Sequence, residues 1–379
     1  MRVGIIGNYG HDNNGDEAIL SGILTQLTDH LAIKKENIIV FSNNPENTTR
    51  RYGLQSVRLL HKKGNLLLSI LHTVKESYAI MKKLDLLIIG GGGLLMDMYK
   101  RDAPLYSTLG QLGHYAGCKV AVYGVGAGPI TTKPGTFFIK RLIDKADSVS
   151  VRDEQSKELL HSIGIQKEIK VIGDPAFFVP SEKKEQAGKR VQKAAVTAVP
   201  YFSRQYWPSA DDQKYHAYIK GMAQNLDRLV EEKDMKVTFF STKYPQDIEV
   251  TKDIFGQMKY QQAAVIMEDN LYPHHIVDIC RGHDLVIGTR LHSLILSVAA
   301  GTPIIGIGYH QKVQDFMRTI GKTENFVAIH SLDEQENRFL SLVERMEMDW
   351  SGTLQEFDAI SSAFKAEAAK GIEQLKNLM

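Results

Sequence analysis

Short apolar runs of four or five residues recur along this chain, each closed by glycine or a polar cluster and followed by residues at helical spacing. That alternation predicts parallel strands buried on both faces and joined by crossover helices. Strands are predicted at 2–6, 37–41, 54–60, 85–89, 119–123 and 148–151, and 170–175 closes this half. Helices are predicted at 18–30, 65–83, 104–117, 135–146 and 153–163. In the first of them Ile19, Ile23, Leu24 and Leu27 share one face. A polar, glycine-rich loop, 7–17, separates it from the first strand.

The pattern then starts again. Residues 194–202 echo 2–10, 235–241 echo 37–42, 284–292 echo 85–93, and 300–308 echo 116–124. Four echoes in one order predict an α/β protein of two Rossmann-like domains facing across a cleft. The boundaries read as 1–182, a charged linker at 183–193, a second domain at 194–350, and a helix at 351–379 that crosses back onto the first domain. A length of 379 residues also suits two domains.

Composition changes this picture little. There are 46 basic and 44 acidic residues, a net charge of +2, which gives no reason to expect nucleic acid. Cys118 and Cys280 stand apart, without disulfide or metal-ligand spacing. His274-His275 lacks the further ligands a metal needs, so no metal is expected. Met1-Arg2-Val3 leads straight into a strand, and no apolar run reaches membrane-spanning length. The expected location is the cytoplasm, at most against the inner membrane face. Helix 65–83 is apolar, with Lys62, Lys63, Lys82 and Lys83 at its ends. It is read as covering the sheet, with membrane contact as the alternative if an acceptor is lipid-linked.

Charged residues collect where strands should end. Arg290 and His292 sit at the junction of the apolar run 284–288 and the helix 291–300, where a helix N-terminus suits an anion. Arg offers a fork for phosphate or carboxylate, and His can deliver a proton near neutral pH. If the backbone is extended there, Leu291 faces the core and both charged residues face the cleft. Lys312, after the next strand, can reach the same place, or is a solvated lysine. In the loop before 18–30, Asn14 or Asp16 could cap the helix. The cluster is more polar than capping requires, and Asp16 is a candidate general base for an incoming hydroxyl. Gly91 and Gly92, within 90–93, let backbone approach a ligand, without the dinucleotide G-x-G-x-x-G spacing. Arg152 is either a second anion fork or a partner of a carboxylate. Asp174, in Gly-Asp-Pro, suits a turn.

Asn14-Gly-Asp-Glu-Ala18, the glycine-rich 87–94, Val151-Arg-Asp153, Gly173-Asp-Pro175, and Thr289-Arg-Leu-His-Ser293 followed by Gly301-Thr-Pro303 together resemble the polysaccharide pyruvyl transferases. The resemblance spans nearly the whole chain, with the five motifs in the family's order. It implies a GT-B-like fold. It also implies transfer of pyruvate from phosphoenolpyruvate onto two hydroxyls of one sugar, as a ketal, in exopolysaccharide or cell-wall biosynthesis. The acceptor would be a glycan or its lipid-linked precursor, and no cofactor is implied beyond phosphoenolpyruvate as co-substrate. By resemblance Arg290, with Arg152 and Lys312, binds phosphoenolpyruvate; His292 is the acid and Asp16 the base or acceptor-positioning group. Asn14, Gly91, Gly92 and Asp174 are assigned to the acceptor side or its loops. Two rival readings stay open, a GT-B glycosyltransferase using a nucleotide sugar and a non-catalytic glycan-binding protein.

Overall fold

The computed structural model describes residues 1–181, 188, 190–309, 311–334 and 337–379. The linker expected at 183–193 falls largely outside them. The chain divides into two compact units, Met1–Val179 with Phe364–Met379, and Pro180–Ala363.

In the first unit, β1 (Val3–Ile6), α1 (Asn14–Thr25), β2 (Ile38–Ser42), α2 (Pro45–Tyr52), β3 (Gln55–Arg58), α3 (Leu66–Met81) and β4 (Leu86–Gly90) follow one another. Then come α4 (Asp102–Tyr115), β5 (Lys119–Val125), α5 (Lys133–Lys145), β6 (Ser148–Val151), α6 (Glu154–Ser162) and β7 (Lys170–Val171). The sheet order is β3-β2-β1-β4-β5-β6-β7, and every pairing is parallel. β1, β2 and β4 are buried at every residue, as strands covered on both faces must be. Their outer neighbours admit polar residues, and β3 is half exposed at the sheet edge.

The second unit runs β8 (Lys193–Val196), α7 (Asp212–Lys233), β9 (Lys236–Phe239), α8 (Gln246–Gln257), β10 (Ala264–Ile266), α9 (Pro273–Arg281) and β11 (Leu285–Gly288). It continues α10 (Leu291–Ala299), β12 (Ile304–Gly308), α11 (Gln311–Thr319), β13 (Phe326–Ala328), α12 (Arg338–Glu347) and α13 (Trp350–Lys376). Its parallel sheet is ordered β10-β9-β8-β11-β12-β13.

Helix α13 belongs to the second unit as far as Ala363, and its remainder packs in the first. There Phe364 stacks on Phe177, the Ala368 carbonyl accepts from Gln26 Nε2 at 3.1 Å, and Leu375 is fully buried. Cys118 and Cys280 are buried thiols, and burial pushes them up to about 11 and 12. They are core residues rather than nucleophiles.

Candidate active site

In the first unit the strand order reverses between β1 and β4, the point where open α/β sheets leave a crevice beyond their strand ends. Helix α1 begins there four residues before its apolar spacing does. Its cap is Asn13, which accepts from the Gly15 amide at 3.3 Å, and neither Asn14 nor Asp16 takes that role. Asn14, Asp16 and Glu17 instead form the first turn, where free N–H groups and the helix dipole favour carboxylates. Periodicity could not show this, because a first turn needs no apolar residue.

Asp16 is 9% exposed, and its Oδ2 accepts from Asn8 Nδ2 at 2.9 Å and Asn13 Nδ2 at 2.8 Å. Burial pushes its carboxyl up to about 6. The bond from Asn8 opposes this, Glu17 adds to it, and Asn13 and the charge of Arg152 oppose it. Its Oδ1 lies over Gly92, only 2.5 Å from where a Cβ would stand, and Gly92 has φ +61°. The glycine run after β4 therefore admits a carboxylate of the protein itself. Gly91 (φ +88°) is closed on by Ile19 and by the Tyr9 hydroxyl, which donates to the Gly90 carbonyl at 2.5 Å.

Arg152 follows β6 and lies over Gly126, with Nη1 3.6 Å from Asp174 and Nε 3.3 Å from Asp153. Asp174 also caps the turn at Ala176, accepting its amide at 2.9 Å. Asn14 is tied to α2, where Arg51 donates to it at 3.3 Å and pairs with Asp12 at 2.8 Å. Sequence reading missed two carboxylates here. Glu17 accepts from the Gly10 amide at 2.7 Å and the Tyr52 hydroxyl at 2.8 Å. Asp97 accepts from the amides and hydroxyls of Thr131 and Thr132, joining the loops after β4 and β5. Burial alone would raise Asp97, but those bonds win and hold it below the usual carboxylate range.

The second unit reverses strand order between β8 and β11, and Arg290 stands just beyond β11. Arg290 is extended (φ −101°, ψ 132°) at the N-cap of α10, whose first turn contains Leu291, His292 and Ser293. The extended alternation expected through Leu291 thus ends at Arg290. Leu291 is half-buried rather than a core residue. The junction is latched by hydroxyls that its motif did not reveal. Ser293 Oγ donates to the Arg290 carbonyl at 2.6 Å and lies 3.0 Å from Thr197 Oγ1, which accepts the Thr289 amide at 3.1 Å.

The guanidinium of Arg290 already has an internal partner. Its Nη2 and Nε donate to Asp247 Oδ1 at 2.5 and 3.2 Å, and Asp247 is fully buried in the first turn of α8. Burial would lower the pKa of Arg290, but Asp247 outweighs it and raises it. No local pattern pairs residues 43 positions apart. Lys312 is exposed in the first turn of α11, one strand further along the same edge. Tyr201, Phe202, Trp207 and Tyr309 pack edge-on beside this edge, a cluster that sequence reading also missed. Among the described residues no three His, Cys, Asp or Glu side chains converge to hold a metal.

Two parallel-sheet α/β units, each gathering charged side chains at its switch point, define a GT-B-like protein. Solved structures agree on the fold. A UDP-GlcNAc 2-epimerase from Methanocaldococcus jannaschii superposes with a TM-score of 0.62 at 14% identity, covering 91% of this chain and 92% of its own. Anabaena HepE, solved with UDP and glucose, gives 0.59 at 10% identity over 100% and 98%. The amylovoran biosynthesis protein AmsJ of Erwinia amylovora is 23% identical, covering 98% of this chain and 100% of AmsJ. The chain belongs to the polysaccharide pyruvyl transferase family, whose sequence profile matches residues 13–311.

Proposed function

We propose that this protein transfers pyruvate from phosphoenolpyruvate to two hydroxyls of one glycan sugar, forming a ketal during exopolysaccharide synthesis. The observation that carries this reading is the junction after β11, where a half-buried arginine and a histidine open a helix inside the matched family region. Phosphoenolpyruvate has a phosphate and a carboxylate on three carbons. Arg290, Lys312 and Arg152, with the positive end of the α10 dipole, are the groups assigned to them. His292 protonates the methylene carbon, and a sugar hydroxyl adds to the cation formed at C2. A second hydroxyl of that sugar then displaces phosphate; Asp16 takes one hydroxyl proton and the other leaves with the phosphate. Relatedness to AmsJ supports a polysaccharide acceptor.

Calorimetric titration with phosphoenolpyruvate tests the donor. Binding is expected, weakened roughly tenfold or more in Arg290→Ala, since a hydrogen bond to a charged group is worth about 1.5–3 kcal/mol. Binding of a nucleotide sugar with no response to phosphoenolpyruvate would replace the reading with a glycosyltransferase.

A further inference from the structure

Helix α3 packs at its C-terminal end and stands clear at its start. Thr73, Ser77 and Met81 are buried, while Leu66, Leu67, Leu68, Ile70 and Leu71 are 78, 66, 50, 45 and 58% exposed. At 3.6 residues per turn these five aliphatics spread over about 200° of the helix circumference. A stripe that meets one protein face needs roughly half that arc, whereas immersion in an acyl layer uses a wide apolar surface.

The charge ahead of these turns is basic, and the first carboxylate after them is Glu76, beyond Lys75. Lys62, Lys63 and Lys75 are exposed, and no acidic residue occurs from 59 to 75. The Lys63 amide donates to Ser69 Oγ at 2.8 Å, and Asn65 caps the helix at the Leu68 amide, so the lysines are held beside the aliphatics. Because β3 and β4 run parallel to their neighbours, α3 starts at the carboxyl edge of the sheet, the edge that carries Asp16. Helix α4 starts at the same edge, behind exposed Met98, Tyr99, Lys100 and Arg101. Apolar, aromatic and basic residues in that combination suit the headgroup layer.

We propose that the first turns of α3, with Lys62 and Lys63, dock the first unit on an anionic bilayer surface. Among the described residues no helix is long and apolar enough to cross a membrane, so the contact is peripheral. This docking does not rest on the pyruvyl transfer reading.

Sedimentation of the full chain with vesicles of phosphatidylcholine, with and without phosphatidylglycerol, tests it. The protein is expected to sediment with the anionic vesicles and to be released by salt. Leu67→Ser with Leu71→Ser is expected to lower partitioning roughly tenfold or more. Lys62→Gln with Lys63→Gln should lower it by a similar factor on anionic vesicles only. Both pairs are exposed, so the melting temperature should not move. No vesicle binding by the wild type, equal binding to neutral and anionic vesicles, or unchanged binding by both variants overturns the proposal. So does a wild-type dimer that Leu67→Ser with Leu71→Ser dissociates, which would assign the face to a second copy.

Discussion

In the first unit β4 runs into Gly91, Gly92 and Gly93; in the second the matching strand β11 runs into Thr289 and Arg290. The match is positional, because β3-β2-β1-β4-β5-β6 and β10-β9-β8-β11-β12-β13 place their strands in the same order. It extends to the opposite edge. Asp85 accepts from the Arg2 amide at 2.6 Å, and Asp284 accepts from the Gln192 and Lys193 amides at 2.9 Å. Each aspartate ties the start of the β4-type strand to the chain entering the β1-type strand.

The two carboxyl edges then diverge. The first brings a buried carboxylate onto glycine backbone, with its arginine one loop away. The second fixes a half-buried arginine against a buried aspartate and opens a helix beside a histidine. One topology thus offers a crevice at the same place twice, and local side chains decide which charge it holds.

Removing the carboxylate should have the largest effect. Asp16→Asn is expected to lower kcat for acceptor-dependent phosphate release by about 10²–10⁴, the usual worth of a general base. Phosphoenolpyruvate affinity should hold in the calorimeter. Near-wild-type turnover would remove Asp16 from the chemistry and leave the first edge as scaffold.

Asp247→Ala attacks the other edge and leaves the half-buried Arg290 cation without its carboxylate. A loss of about 3 kcal/mol in folding stability by urea titration is expected, because breaking a buried pair costs about that much. A loss below about 1 kcal/mol would mean that Arg290 readily turns to solvent.

A pH series sharpens the contrast. Asp16 has its folded pKa raised from 3.8 to about 6, so the native state binds more protons than the unfolded chain between those values. Stability contributed by the protonated form is therefore lost as pH rises from about 4 to about 6, by up to roughly 3 kcal/mol. Asp16→Asn should lose that segment of the pH dependence, so that the difference between wild type and variant carries the slope. The wild type is expected to show an acidic limb of log kcat/KM near pH 6, and the variant to lack it. An unchanged limb would assign the titration to another group.

Gly92→Ala should give the smallest change, about 1–2 kcal/mol from left-handed backbone alone, read as a lower melting temperature. Because the new Cβ would press on Asp16 Oδ1, activity should fall more than this strain implies. Wild-type activity would show that the glycine serves only the turn.

The sequence by itself determined the alternation of strands and helices, the repeat that splits the chain, and the positions of Asp16, Arg152, Arg290 and His292 at strand ends. These are local properties, because hydrophobic period and glycine placement act over a few residues. It fell short where a contact joins distant segments. Asp247 meets Arg290, Arg51 holds Asn14, and Asp97 clasps Thr131 and Thr132, all through chain folded from elsewhere. The exposure of residues 66–71 was likewise invisible, since an apolar helix turn reads the same whether the sheet covers it or not. Tertiary structure also decided how Asp16 is charged, because a carboxyl pKa depends on the water excluded around it and no local motif encodes that burial.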